Sequence, residues 1–320
     1  SLTDEDPANT LETKAETWRY VQKGGFYWAG AYACDDYVLI GTDDGEDGYS
    51  SDTANLLLLD PKSGKLLDSM TGFIGDIRCS ICYDTATKAF YFTSKGGYLY
   101  SVQVQKSGSS WKLANKKQLK LGGMSTSTPV VHNGRAYIGV CGSGQFTEYS
   151  GHSITVIDLS GAMSIAYRAE TQGYPQTSGL LTTGYDNYNY IYFLDNYTPG
   201  TLRVLRDKEG QTKADYTTIE RVGEGKTEKT YTTAYALFTP AGEQAQYCIC
   251  SPIVDENGTL YFKNDSGYLM AYGSAVEELK VESAPAKTHY EAGDKFDTTG
   301  LKVTATYANG VTRDVTKLMK

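Results

Sequence analysis

The sequence predicts an all-β chain whose larger part is a β-propeller of four-stranded blades. Three observations predict it. A short strand, a turn and a second apolar strand recur from anchors at Gly30, Ser80, Thr128, Ser178 and Ser251, spaced by 50, 48, 50 and 73 residues. Further apolar runs follow within each unit, and four short strands in about 50 residues is the period of a propeller blade. Finally, 27 Tyr, 9 Phe and 3 Trp beside 34 Gly and only 8 Pro suit strands and tight turns rather than disorder. A β-sandwich also gives short, evenly spaced strands, but has no reason to repeat its local sequence.

The first unit reads Gly30-Ala31-Tyr32-Ala33, then Tyr37-Val38-Leu39-Ile40-Gly41, then Asn55 to Asp60; after the turn at Pro61-Lys62-Ser63-Gly64 comes a more polar Lys65-Leu66-Leu67-Asp68. The second runs through Ser80-Ile81-Cys82-Tyr83, Phe90-Tyr91-Phe92 and Tyr98 to Val102. The third has Thr128-Pro129-Val130-Val131, an Asn133-Gly134 turn, Ala136 to Gly139 and Ser153 to Asp158. Apolar inner strands with a polar outer one fit sheets buried between neighbours. A looser fourth unit starts at Ser178 and reaches Tyr190-Ile191-Tyr192-Phe193. The long gap after it predicts an insertion within 207–246, read as extended loops from its polar, Gly-containing sequence. The last unit, from Ser251 to Tyr272, lacks a fourth strand, whereas Glu16 to Val21 reads as a fourth strand with no preceding three. About five blades could close a ring by that exchange, or the chain is an arc of a larger ring.

Two resemblances accompany this reading. Asn257-Gly258-Thr259-Leu260-Tyr261-Phe262 through Asp265 to Tyr272, with Leu59-Asp60-Pro61-Lys62-Ser63-Gly64-Lys65, resembles pyrrolo-quinoline-quinone-like propeller repeats over roughly residues 12–273. That implies a fold and little chemistry, because such propellers include enzymes, assembly scaffolds and surface proteins. After Gly273 the segment Leu279-Lys280-Val281-Glu282-Ser283, Tyr290 to Asp297 and Gly300 to Tyr307, with Asn309-Gly310, resembles a bacterial immunoglobulin-like repeat of surface proteins. Alternation from Leu301 to Tyr307 and the Asn-Gly turn independently support a strand and a hairpin. The expected division is a propeller over 1–273 and a partial immunoglobulin-like sandwich over 274–320, roughly half of such a domain, so that the parent chain continues.

A net charge of −8 and a pI near 5.0 lack the basic footprint of nucleic-acid binding. With no long apolar run, no membrane insertion is expected in this segment, and the stretch from Ser1 to Pro7 does not read as a signal peptide. The absence of a leading Met is expected either from processing or from a sequence that starts partway along its parent. Cys34, Cys79, Cys82, Cys141, Cys248 and Cys250 read as small core residues. Cys79 and Cys82 have CxxC spacing, but residues three apart on a strand point to opposite faces, and a second CxxC is missing. The quinone enzymes of the resembled fold carry an adjacent Cys-Cys pair beside their cofactor; this sequence has none, so no cofactor is expected. Asp43, Asp44 and Asp47 form a calcium candidate, yet the EF-hand frame fails at Gly45 and Ala54, and a solvated turn is the favoured reading. Gly223-Glu224-Gly225-Lys226-Thr227 departs from a phosphate loop at Glu220 and reads as a flexible loop.

Aligning the repeats just before each inner strand superposes Phe26-Tyr27-Trp28-Ala29, Asp76-Ile77-Arg78-Cys79, Met124-Ser125-Thr126-Ser127, Tyr174-Pro175-Gln176-Thr177 and Tyr247-Cys248-Ile249-Cys250. In a propeller these segments descend toward the central channel, so equivalent positions should converge on one mouth. Trp28, Asp76, Arg78, Thr126, Tyr174 and Gln176 are the candidate ligand-binding residues, with Tyr149 and Asn196 from neighbouring loops. The alternative is that these side chains only plug the channel, with Trp28 buried and Arg78 neutralised by a carboxylate such as Asp76. The expectation is a non-catalytic binding, adhesion or scaffold module of a secreted or cell-surface bacterial protein, engaging a glycan, peptide or surface protein. The rival is a glycan lyase or hydrolase using Asp76 and Arg78, which for hydrolysis would need a second carboxylate.

Overall fold

The computed structural model describes residues 15–142, 145–184, 187–221, 228–256, 258–273, 276–307, 310, 312–316 and 319. The chain divides into two compact units, Ser1–Ser251 with Asn264–Tyr268, and Pro252–Lys263 with Leu269–Lys320. Residues 252–263 and 269–273 of the last repeat fall in the second of these units.

In the first unit, β1 (Tyr32–Ala33), β2 (Val38–Gly41), β3 (Ala54–Leu59) and β4 (Leu66–Phe73) form an antiparallel meander in chain order. A second meander follows from β5 (Cys82–Asp84), β6 (Ala89–Ser94), β7 (Tyr98–Ser107) and β8 (Ser110–Lys120). The third blade is β9 (Val130–His132), β10 (Arg135–Cys141), β11 (His152–Asp158) and β12 (Ser164–Thr171); the fourth begins with β13 (Leu180–Thr183), β14 (Asn189–Leu194) and β15 (Leu202–Asp207). Burial follows position within the blade. All of β6 and β10 is buried, whereas the outer β8 alternates between half-buried and exposed.

The insertion corrects the loop expectation. Its β16 (Tyr216–Arg221) and β17 (Glu228–Thr233) form a hairpin, and β17 joins the edge of β12 in parallel, opposite Glu170 and Thr233, widening the third sheet to six strands. Threonine-rich alternation, with Thr217, Thr218, Thr230, Thr232 and Thr233, is the sequence signal that favours a strand pair here. The chain then returns as β18 (Tyr235–Phe238) to complete the fourth blade. Residues 223–227, read from the sequence as a loop that departs from the phosphate-binding pattern, lie outside the described residues.

Packing between successive sheets explains why the repeats need one another. Blades one and two share a core in which Phe73 meets Tyr100 edge-on at 4.9 Å and Phe92 at 5.3 Å, while Tyr32 meets Phe90 at 4.9 Å. Leu99 and Tyr91 of the second blade pack with Ile138 and Ile157 of the third, and Tyr137 and Val156 of the third with Ile191 and Phe193 of the fourth. Four successive four-stranded meanders interlocked face to face are the blades of a propeller. Residues 16–21 are not a strand; instead the Trp18 indole donates to the Pro61 carbonyl at 3.0 Å and lies over Gly64, whose φ of +68° and lack of a side chain admit it.

The second unit contains β19 (Ile253–Val254), β20 (Leu260–Lys263) and β21 (Leu269–Tyr272) as one three-stranded sheet. A separate three-stranded sheet consists of β22 (Val276–Ser283), β23 (Lys302–Tyr307) and β24 (Thr312–Asp314). Val303, Ala305 and Val315 form a small core there, as the alternation along β23 predicts.

A candidate binding recess

The five aligned segments converge as their repeat positions require. Trp28, Arg78, Thr126, Gln176 and Ile249, the third residue of each segment, all line one recess of about 410 Å³. Ser80, Thr128, Ser178 and Ser251, which anchor the repeats, line it as well. The anchor of the first repeat is Gly30, where a Cβ would collide with Ser80 Oγ, so the ring of hydroxyls is interrupted for space.

Hydrogen bonds between equivalent segments fix the lining. The Ser80 amide donates to Thr128 Oγ1 at 2.9 Å, Ser127 Oγ to the Thr177 carbonyl at 2.9 Å, and Thr177 Oγ1 to the Cys250 carbonyl at 2.9 Å. Each bond crosses one repeat, so a backbone group on the inner side is satisfied by a Ser or Thr of a neighbouring repeat. Tyr174 acts in the same way, being buried with its hydroxyl accepting from the Thr126 amide at 2.6 Å. It therefore supports the lining from behind. Asn196 also stands behind, donating Nδ2 to Gln176 Oε1 at 2.8 Å, which leaves the Gln176 amide nitrogen as donor.

Trp28 is 63% exposed and has φ +62°, a left-handed backbone that a bulky residue rarely adopts. Its ring lies 5.1 Å from Tyr27, and the Arg78 guanidinium sits 4.5 Å from the Tyr27 ring and 5.8 Å from the Trp28 ring. Arg78 is neutralised twice. Nη2 is 2.7 Å from Asp43 and 2.9 Å from Asp76, and Nε also reaches Asp43 at 3.2 Å. Partial burial opposes its charge, but the hydrogen bonds to Asp43 and the field of Asp76 prevail and raise its pKa. Asp76 is buried, receives the Asp44 amide at 3.1 Å and is 3.1 Å from Lys95. Gly48 is required beside it, since a Cβ there would strike the Asp76 carboxylate. Arg78 is thus neutralised as a channel plug would be, whereas Trp28 is open to solvent beside a cavity.

The calcium candidates are turned to different partners. Asp43 binds Arg78, Asp44 accepts from the amides of Glu46 and Gly48, and Asp47 accepts from Tyr49, Ser50 and the Ser50 hydroxyl. Contrary to a solvated turn, Asp43 and Asp44 are buried, and burial raises the Asp44 pKa. Among the described residues no cluster of His, Cys, Asp and Glu could hold a metal ion. Tyr149 lies outside the recess lining: its hydroxyl donates to Glu170 at 2.7 Å and its ring carries Arg168 at 4.0 Å. Sequence reasoning missed Ile249 as a lining residue, although it occupies the same repeat position as Trp28.

Residues 283–318 match a family model described as bacterial Ig-like domain (group 3). The C-terminal segment is similar to that domain. No curated protein matches the chain. Among solved structures, the chain is similar to a quinohemoprotein alcohol dehydrogenase from Pseudomonas putida HK5 at 13% identity, covering 80% of this chain and 41% of that one with a TM-score of 0.44. A quinohemoprotein alcohol dehydrogenase from Comamonas testosteroni aligns at 10% identity, 78% and 42% coverage and a TM-score of 0.45. The β-propeller domain of Myceliophteria thermophila Cps50 aligns at 10% identity, 89% and 81% coverage and a TM-score of 0.39. The chain spans about two fifths of the two dehydrogenases. None of the described helices is long and apolar enough to cross a membrane.

Proposed function

We propose that this protein is a binding module of a secreted or cell-surface bacterial protein and that its ligand enters the recess lined by Trp28, Arg78, Thr126, Gln176 and Ile249. One observation carries this reading: five equivalent backbone positions converge on one cavity, yet present an indole, a guanidinium, a hydroxyl, an amide and an aliphatic group. A channel that only needed filling has no use for an exposed tryptophan held at positive φ, whereas an asymmetric ligand needs different groups around it. Export to the surface rests on the bacterial Ig-like match.

The enzymatic alternative rests on Asp76, whose commitment to Arg78 and Lys95 beneath the lining disfavours a role as acid or base. Array binding of the full chain, repeated with Trp28→Ala and Gln176→Ala, tests the reading. Binding should fall in both variants while melting temperature stays near wild type. Turnover of a glycan panel, abolished by Asp76→Asn in a folded variant, would replace the binding reading with the enzymatic one.

A further inference from the structure

Resting on that binding reading, we infer that the recess accepts a neutral, hydroxyl-rich ring, the terminal sugar of an uncharged glycan. Charge decides first. Arg78 is the cation among the lining residues, and it is already held by Asp43 and Asp76; Lys95, the next cation in the same cluster, is 3.1 Å from Asp76. Three buried carboxylates, Asp43, Asp44 and Asp76, therefore stand against two cations. A carboxylate or phosphate entering the recess finds no uncompensated positive charge and loses its hydration for nothing in return.

The remaining chemistry fits a polyol. Ser80, Thr126, Thr128, Ser178 and Ser251 line it with hydroxyls from four different segments; Ser178 Oγ donates to the Gly179 carbonyl and Thr126 Oγ1 pairs with the Tyr174 hydroxyl, each keeping acceptor capacity for a sugar hydroxyl. Thr128 Oγ1 accepts the Ser80 amide, which holds the hydroxyl in place without using its hydrogen. Gln176 is pinned through Oε1 by Asn196 and offers its amide hydrogens. The exposed Trp28 indole is a flat apolar plate of the kind that stacks on the C–H face of a pyranose. A volume of about 410 Å³ lies at the lower end for small-molecule sites and suits the end of a chain rather than its length. A peptide would instead be gripped by a free strand edge or an apolar groove, and the lining offers side-chain hydroxyls from separate segments.

The test is titration calorimetry of the full chain with oligosaccharides ending in neutral hexose or N-acetylhexosamine, with matched uronic-acid-terminated oligosaccharides, and with a peptide library. Neutral ends should bind best, and Trp28→Ala and Gln176→Ala should each weaken that binding by about tenfold or more. Thr128→Arg, which adds an uncompensated cation to the lining, should shift preference toward acid-terminated sugars by about tenfold. Asp43→Asn, which releases part of Arg78, should shift it the same way, and a variant that fails to fold by circular dichroism leaves the other to decide. Tighter binding of acidic sugars or peptides than of neutral sugars, still dependent on Trp28, would overturn the neutral-glycan inference and leave recess binding standing. Absence of binding by every probe, or binding indifferent to both Trp28→Ala and Gln176→Ala, would overturn both.

Discussion

At the scale of a residue, Trp28 shows how function can set side-chain choice against backbone preference. A left-handed backbone costs an L-residue about 1–2 kcal/mol relative to the right-handed one, and at φ +62° glycine would be the natural occupant. Exposure removes the usual compensation, because an indole that is 63% exposed returns little of its apolar area to the core. Trp28→Gly should therefore leave stability within about 1 kcal/mol of wild type, relief of strain offsetting the greater freedom of the unfolded chain. A buried plug would instead cost about 3–5 kcal/mol on truncation. Urea unfolding of wild type, Trp28→Gly and Trp28→Ala separates the two, and a loss above about 3 kcal/mol for both variants would return Trp28 to a packing role. The repeat alignment made this residue legible as a position, since it is equivalent to Arg78. Its conformation and exposure were not legible, because they depend on the adjacent Tyr27 ring and on Arg78, which meets it from a neighbouring segment.

At the scale of an element, the insertion is tied down by a buried polar cluster. Asp207, at the end of β15, accepts from Tyr137 of β10 at 2.8 Å and from Tyr167 of β12 at 2.7 Å, and lies 3.4 Å from the buried Arg135. Arg135 also donates to the carbonyls of Lys208 at 2.9 Å and Gln211 at 2.7 Å, holding the chain where it leaves the fourth blade. Burial raises the Asp207 pKa despite these donors. A raised folded pKa means that the native state keeps the proton more tightly; the resulting stabilisation is full below the unfolded pKa and fades as pH rises through the folded one. Asp207→Ala leaves Arg135 buried without its carboxylate and should cost about 3–5 kcal/mol at neutral pH, measured by denaturant midpoint, with Asp207→Asn costing less. Equal stability of Asp207→Ala and wild type would show that Arg135 is satisfied by the carbonyls alone. The hairpin beyond this cluster escaped sequence reasoning for a physical reason. The sequence repeats with a blade period, and a strand pair that docks on the previous blade's edge has no place in that period. The same period located β2, β6, β10 and β14, though not their exact ends, because each carries an apolar run at fixed spacing.

At the scale of the molecule, the blades are coupled through shared cores, and the cysteines report on that coupling. None of the six is in a disulfide; Cys79, Cys141 and Cys248 are buried and Cys34, Cys82 and Cys250 are half-buried. Burial pushes the Cys79 thiol up to about 11 and also raises Cys82, so the thiolate that reacts is scarce in the native state. Hydrogen bonding to Cys250, then burial, raises Cys248. The six residues are spread along the repeats, Cys79 leading into β5 and Cys141 closing β10. Packing of Tyr91 and Leu99 against Ile138 and Ile157 joins the second and third blades, so neither sheet can open without exposing the other's apolar face. Nearest-neighbour coupling of this kind makes an array unfold as a unit when the interface outweighs the stability of each repeat. Thiol labelling across a denaturant series should therefore find at most about three reactive groups before the transition and about six after it, with Cys79 and Cys141 appearing at the same denaturant concentration. Separate midpoints for those two cysteines, read by mass spectrometry of the labelled peptides, would mean that the blades open one at a time and that the lining of the recess is only as stable as its weakest sheet.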